Sequence, residues 1–213
     1  MKVNIADFRH EYTNKKFSKD NVNPNPIFQL ELWLKAAMEI EDEPTAMVLG
    51  TVSLEGQPAT RTVLLKGIED DKLIFYTNYQ SRKGNHLDTN SHVSLTFFWP
   101  KRERQINVEG IAEKVAPEVS NAYFQTRPRT SRLGAWVSHQ SHVIKSRNEI
   151  IVAFTKLAAK YVGRKVPCPD FWGGYAVVPN RVEFWQGRPN RLHDRIVYSN
   201  KVDEVWQIDR LAP

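Results

Sequence analysis

Long hydrophobic runs are missing from this chain. Nowhere in its 213 residues do about 18 apolar residues follow one another, so no membrane-spanning helix is expected. Cysteine is nearly missing too. The one cysteine, Cys168, excludes an internal disulfide and makes the cytoplasm the expected compartment. Set between Pro167 and Pro169, it reads as structural. The N-terminal stretch MKVNIADFRHEYTNKKFSKD lacks the apolar core of a signal peptide. No GxGxxG follows a strand pattern, and there is no GxxxxGK[ST], so neither a Rossmann dinucleotide site nor a P-loop is signalled. Paired-cysteine and HExxH zinc patterns are absent, as is the GxSxG nucleophile elbow. His139 and His142 lack a carboxylate or cysteine cluster around them, so no metal is expected.

What is present is a globular composition with a basic bias. Hydrophobic residues make up 41% and aromatics 11%, enough for a real core. Thirty basic against 24 acidic residues leave a net charge of +6, which favours anionic partners. Nucleic acid and phosphorylated small molecules both qualify, so the placement of the charges must decide.

Residues 1–25 are polar and end in Asn-Pro-Asn-Pro, which predicts a mobile arm and a stiff linker. Residues 26–213 are expected to form a single domain. Ile27, Leu30, Trp33, Leu34, Ala37 and Met38 recur at helical spacing. Alternation then predicts strands over 46–53, 59–65, 72–77, 93–99 and 105–115, with a short helix over 81–87. Residues 117–160 turn helical, including an amphipathic stripe of Ile151, Phe154, Leu157, Ala158 and Tyr161. Strands return over 175–178, 181–185, 192–198 and 204–208. The class is β-rich α+β, a small barrel with helices packed outside.

Four clusters carry chemistry. Arg61 and Lys66 bracket Arg61-Thr62-Val63-Leu64-Leu65-Lys66, about 16 Å apart in an extended strand. That spacing matches a flavin mononucleotide from phosphate to ring. Strict alternation puts the two cations on opposite faces, so a bulge or strand end must intervene; ordinary surface cations are the alternative. At 76–84 a strand ends and a helix starts after Ser81, a good N-cap. Cations in a first helical turn oppose the helix dipole, so Arg82 and Lys83 make sense beside an anion. Tyr123, Arg127 and Ser131 suit a phosphate monoester, with Pro128 ending the helix. Finally, alternation over 191–195 puts Arg191, His193 and Arg195 on one strand face.

These clusters sit in longer segments: RHEY at 9–12, PTAM at 44–47, RTVLLK at 61–66, YTNYQSRK at 76–83, RQINVEG at 104–110, RPRTS at 127–131, GAWVSHQS at 134–141, FWGGY at 171–175 and VEFWQGRPNRLHDR at 182–195. In that order, over nearly the whole chain, they resemble the pyridoxamine/pyridoxine 5′-phosphate oxidase family. The resemblance implies an FMN-binding split β-barrel with packed helices, acting as a homodimer. It implies FMN contacts from Arg61, Thr62, Val63, Leu64, Leu65, Lys66, Tyr76, Thr77, Arg82, Lys83, Gln105, Gln140, Ser141, Trp185 and Arg195. It implies substrate contacts from Lys66, Tyr123, Arg127, Ser131, Arg191, Leu192 and His193, with Arg9, His10, Glu11 and Tyr12 as a lid. Arg191 and His193 would position the ring and its reacting carbon. The implied reaction oxidises pyridoxamine or pyridoxine 5′-phosphate to pyridoxal 5′-phosphate, passes the electrons through FMN to dioxygen, and releases hydrogen peroxide, with ammonia from the amine.

The chain departs from the family pattern at Glu43, where many members carry Asp before Pro-Thr-Ala-Met, and no catalytic role is assigned to it. Lys101-Arg102-Glu103 is unusually charged and reads as a variable hairpin. Two rivals stand beside this reading. One is a flavoprotein of the same fold with another substrate, such as a flavin reductase; RPRTS and RLHDR oppose it. The other is a non-catalytic binder of pyridoxal phosphate or nucleic acid, supported by the basic charge. Its expected sign is steeply salt-dependent RNA binding without flavin.

Overall fold

The computed structural model describes Tyr12, residues 16–202 and residues 205–213. Arg9, His10 and Glu11, three members of the expected lid, lie outside the described residues. In chain order the elements are α1 (Pro26–Ala37), β1 (Ala46–Val52), β2 (Pro58–Leu64), β3 (Gly67–Glu69), β4 (Lys72–Asn78), α2 (Arg82–Thr89), β5 (His92–Trp99), β6 (Arg104–Lys114), α3 (Pro117–Thr126), α4 (Arg129–Val137), α5 (Arg147–Lys160), β7 (Trp172–Gln186), β8 (Asp194–Val202) and β9 (Val205–Leu211). The expected β-rich α+β class holds. The strands are hydrogen bonded in the order β2-β1-β5-β6-β7-β4-β3, and β8 joins β7 to β9. The observed pairings of β3 with β4, β4 with β7, β7 with β8 and β8 with β9 are all antiparallel.

Backbone packing divides the chain into two compact units, each assembled from separated segments. The first comprises residues 1–48, 94–109 and 179–213. Its helix α1 starts on Pro26, and the Asn25 side chain accepts from the N–H groups of Ile27 and Phe28. That satisfies two donors the first turn leaves open. Trp33 then packs edge-on against Phe184, and Phe17 tilts against both. Phe17 is buried and its N–H donates to Asp194 at 3.0 Å, so the segment expected to belong to a mobile arm is anchored from Phe17 onward. The charged Lys101-Arg102-Glu103 stretch is also fixed. Arg102 donates to Ala36 O and pairs with Glu39, while Glu103 is buried in a left-handed turn.

The second unit comprises residues 49–93 and 110–178. Asp70 and Asp71 both have positive φ, so β3 and β4 close on a two-residue turn whose twist suits a hairpin. Phe124, Leu133, Val166 and Trp172 form a small core beneath α3, α4 and α5. The helical stretch expected over 117–160 forms three helices: the first ends before Pro128, as expected, and residues 138–146 separate α4 from α5. The stripe expected on α5 is buried only in part. Phe154, Leu157, Ala158 and Tyr161 pack on the core, but Ile151 is 52% exposed.

Two further expectations are corrected. The strands predicted over 175–178 and 181–185 are one strand, β7, because Pro179 and Asn180 do not interrupt its extended backbone. The strand predicted over 192–198 begins only at Asp194. Pro189–Arg191 is a 3-10 turn in which Asn190 and Arg191 have φ of 58° and 59°. Arg191, His193 and Arg195 therefore do not share a strand face. The donor-less Pro189 and two left-handed residues stop the alternation before it reaches β8.

Candidate functional site

A cavity of about 820 Å³ opens in the second unit, within the usual range for small-ligand pockets. Four of its walls were legible as sequence motifs. Residues Ala59 to Leu64 and Lys66 supply one side, Tyr76, Thr77 and Asn78 another, Arg82 and Lys83 a third, and Gln140 and Ser141 a fourth. Tyr123, Arg127 and Ser131 complete it. Among the described residues, none that lines it is acidic. The face conflict between Arg61 and Lys66 is resolved by the end of β2 at Leu64; Lys66 lies beyond it, with its N–H bonded to Ile74 O.

The α2 end of the cavity is built by Ser81. Its hydroxyl accepts from the Gly84 N–H at 3.3 Å and caps the helix. The Lys83 ammonium is buried and donates to Thr77 Oγ1 at 3.0 Å, Ser81 Oγ at 3.3 Å and Gln140 Oε1 at 2.9 Å. All three acceptors are neutral, so no counter-charge offsets the burial. Burial first, then the nearby Arg61 charge, pulls the Lys83 pKa from 10.5 to about 8. Burial and the Arg82 charge likewise lower Arg61.

This depression gives a testable pH dependence. Between about pH 8 and pH 10.5 the unfolded chain binds more protons at Lys83 than the folded chain. The ligand-free protein is therefore expected to gain stability from this group as pH rises across that window. Affinity for inorganic phosphate should move the opposite way and fall as pH passes about 8, because the cation is lost. Phosphate titrations at several pH values check this; Lys83→Met should lack the step.

The other end is aromatic. Tyr76 stacks on Tyr123 at 3.9 Å between ring centroids, and Trp172 lies nearly parallel to both. The Arg127 guanidinium sits 4.7 Å over the Trp172 ring. Burial lowers the Arg127 pKa. Its Nη1 is buried without a hydrogen-bond partner among the described residues. Such a group costs about 1–3 kcal/mol or more when left unmet, so it marks a place for an anion. Ser131 stands in the first turn of α4, just past the break at Pro128. Trp172 was not singled out from sequence, although the glycines beside it were a signal. A Cβ on Gly174 would lie 2.9 Å from the Tyr76 ring, so the stack needs glycine there.

Leu65, in the second unit, is buried and does not line the cavity; the other remaining expected residues that are described belong to the first unit and are not part of it either. Gln105 is half-buried on β6. Trp185 packs against His193 at 4.7 Å, and Tyr12 meets both rings edge-on at 5.5 Å. His193 Nδ1 accepts from the Arg188 N–H at 3.1 Å, which leaves the proton of the neutral ring on Nε2. Burial, then the Arg191 charge, lowers the His193 pKa. Arg195 is held by Glu183 at 2.8 Å, which raises its pKa. Leu192 is largely exposed. No group of three or more metal-ligating side chains occurs among the described residues, and none of their helices is long and apolar enough to cross a membrane.

Comparison with known proteins agrees with the motif order. The family profile described as pyridoxamine 5′-phosphate oxidase matches residues 34–161. A second, described as the pyridoxine 5′-phosphate oxidase C-terminal dimerisation region, matches residues 172–213. The chain is 54% identical over 211 residues to a pyridoxine/pyridoxamine 5′-phosphate oxidase of Bacteroides thetaiotaomicron, covering 99% of each. It is 52% identical to one from Chromobacterium violaceum, covering 100% of each. Among solved structures, PhzG from Burkholderia lata, in complex with tetrahydrophenazine-1-carboxylic acid, superposes with a TM-score of 0.89 at 27% identity, covering 96% of this chain and 100% of that one. A pyridoxamine 5′-phosphate oxidase-related, FMN-binding protein from Nostoc punctiforme shares the fold, with a TM-score of 0.71 at 16% identity over 88% of this chain and 98% of that one. On these full-length matches, the chain belongs to the pyridoxamine 5′-phosphate oxidase family.

Proposed function

We propose that this protein oxidises pyridoxamine and pyridoxine 5′-phosphates to pyridoxal 5′-phosphate, with FMN as cofactor and dioxygen as electron acceptor. The observation that carries the reading is the cavity itself. Among the described residues, Arg61, Lys66, Arg82, Lys83 and Arg127 converge on it without one carboxylate, and Arg127 Nη1 is buried and unmet. Five cations and an orphaned donor fit phosphorylated ligands, and a flat aromatic wall fits planar rings. The donor set therefore suits FMN together with a phosphorylated substrate. The amine substrate consumes dioxygen and water and yields pyridoxal phosphate, ammonia and hydrogen peroxide. The alcohol substrate yields pyridoxal phosphate and hydrogen peroxide.

FMN, when bound, supplies the two-electron acceptor, and the chain supplies binding and orientation. Arg61, Arg82 and Lys83 hold the FMN phosphate at the start of α2, with Thr77, Gln140 and Ser141 beside it. Lys66, Tyr123, Arg127 and Ser131 hold the substrate phosphate. Tyr76, Tyr123 and Trp172 exclude water from one side. The roles of Gln105, Trp185 and Arg195 toward FMN, of Arg191, Leu192 and His193 toward substrate, and of Arg9 to Tyr12 as a lid rest on the resemblance of their segments. The left-handed backbone at Arg191 adds support, since such strain of about 1–3 kcal/mol collects at functional sites. With its Nδ1 taken by the Arg188 N–H, His193 has Nε2 left to orient the substrate ring. The match of residues 172–213 to a dimerisation region supports a homodimer. The single cysteine suits a cytoplasmic setting.

The purified protein should show a flavin spectrum and form pyridoxal phosphate from both substrates in an oxygen-dependent way. A chain unable to take up FMN sinks the reading. A flavoprotein inert toward both phosphates that instead binds tetrahydrophenazine-1-carboxylic acid would place it with PhzG. Arg191→Met is expected to reduce turnover much more than FMN retention, measured by steady-state rates and flavin fluorescence. Equal loss of both would refute the role given to Arg191.

A further inference from the structure

Arg61 occupies a crowded position. It faces Arg82 and Lys83 across the same cavity, its charge lowers the Lys83 pKa, and Arg82 lowers its own. Mutual repulsion favours a guanidinium turned out into water. Two acceptors oppose that turn. Arg61 Nη1 donates to Leu49 O at 3.1 Å and to Thr51 Oγ1 at 2.6 Å. Leu49 contributes only its backbone, so among the described residues Thr51 is the one side chain in the anchor. Thr51 is 2% exposed on β1 and is not part of the cavity wall.

The Thr51 hydroxyl has a second neighbour, His86 Nδ1 on α2, at 3.1 Å. A guanidinium can only donate, so Thr51 Oγ1 accepts from Arg61 and has its own proton left to give. His86 is 7% exposed, and its neutral Nε2–H tautomer offers Nδ1 as the acceptor that satisfies the buried hydroxyl. The chain of bonds runs from Arg61 to Thr51 to His86 and ties the cavity cation to the helix that carries Arg82 and Lys83.

We propose that Thr51, with its proton accepted by His86, is a positioning residue that holds Arg61 in the anion cavity and so sets the affinity for the FMN phosphate. This deepens the FMN reading and rests on it.

The test is an FMN titration of the apoprotein by quenching of flavin fluorescence, with thermal unfolding measured alongside. Thr51→Val keeps the shape and removes the hydroxyl. It should raise the FMN Kd about 10-fold, which corresponds to about 1.4 kcal/mol, without lowering the unfolding midpoint of the apoprotein. Thr51→Ser restores the hydroxyl and should return the Kd to within about 2-fold of the parent, a rescue that a mere packing role would not give. His86→Asn keeps an acceptor near the Nδ1 position and should bind as the parent does, whereas His86→Leu should weaken FMN. Should Thr51→Val fold poorly, the two His86 variants carry the same comparison. Parent-like affinity in Thr51→Val overturns the proposal, as does Thr51→Ser binding as weakly as Thr51→Val. A parent chain that takes up no FMN at all overturns the FMN reading itself, and this proposal with it.

Discussion

Arg127→Met is expected to lower kcat/KM for pyridoxamine 5′-phosphate by about 100- to 1,000-fold, the loss expected for removing a charge-assisted contact worth about 3–4 kcal/mol. FMN uptake should stay near that of the parent, since Arg82, Lys83 and Arg61 remain. The unusual part of the expectation concerns stability. Arg127 Nη1 is buried and unpartnered in the ligand-free chain, and burial already lowers the pKa of the group. Methionine removes that unmet donor and keeps most of the contact with Trp172. The apoprotein should therefore be no less stable than the parent, and a thermal midpoint at or above the parent's in the same buffer checks this. Separate kcat and KM values sharpen the test, because a phosphate anchor far from the reacting carbon acts on both through orientation. A kcat/KM within threefold of the parent would remove Arg127 from the substrate site. A collapse of FMN binding would move it to the cofactor.

Gly84→Ala is expected to be the most damaging small substitution in the second unit. A Cβ at Gly84 would lie 1.8 Å from Tyr79 O and 2.4 Å from its carbonyl carbon. Those are backbone atoms in the turn that leads into α2, so no side chain can rotate away. Relief requires the helix to pull back from the strand end, and overpacking of this kind costs about 3 kcal/mol or more. For a chain of this size that is roughly a 10 °C loss in Tm. The same displacement takes Ser81, Arg82 and Lys83 with it, because the Gly84 N–H is the one Ser81 caps. FMN affinity should fall together with stability. Unfolding scans and FMN titration on the same preparation check both. A variant as stable as the parent would show that the turn at Tyr79 has room the backbone geometry denies.

Local features were legible in the sequence because they are decided within a few residues. The cap at Ser81 and the cations grouped in 61–66 and 82–83 follow from neighbouring side chains and their own backbones. The order of the motifs along the chain was likewise enough to indicate the family. Alternation failed where a local exception overrode it. Pro189 and two left-handed residues delay β8, so Arg191, His193 and Arg195 lose their common face. The stripe on α5 stays half open because only one side of that helix meets the core.

The tertiary structure alone decided which distant residues meet. The pairing of β4 with β7 sets Tyr76 opposite Gly174 and Asn78 opposite Trp172. That register, with no side chain on Gly174 to intervene, brings Trp172 parallel to Tyr76 and Tyr123 and under Arg127. Arg61 and Thr51 meet across ten positions of sequence, and Thr51 and His86 across 35. Such contacts carry no periodicity, since strand pairing and helix packing choose the partners rather than spacing along the chain. The sequence by itself therefore determined which residues could serve an anion, and the fold decided which of them are buried, held and left with an open hydrogen bond.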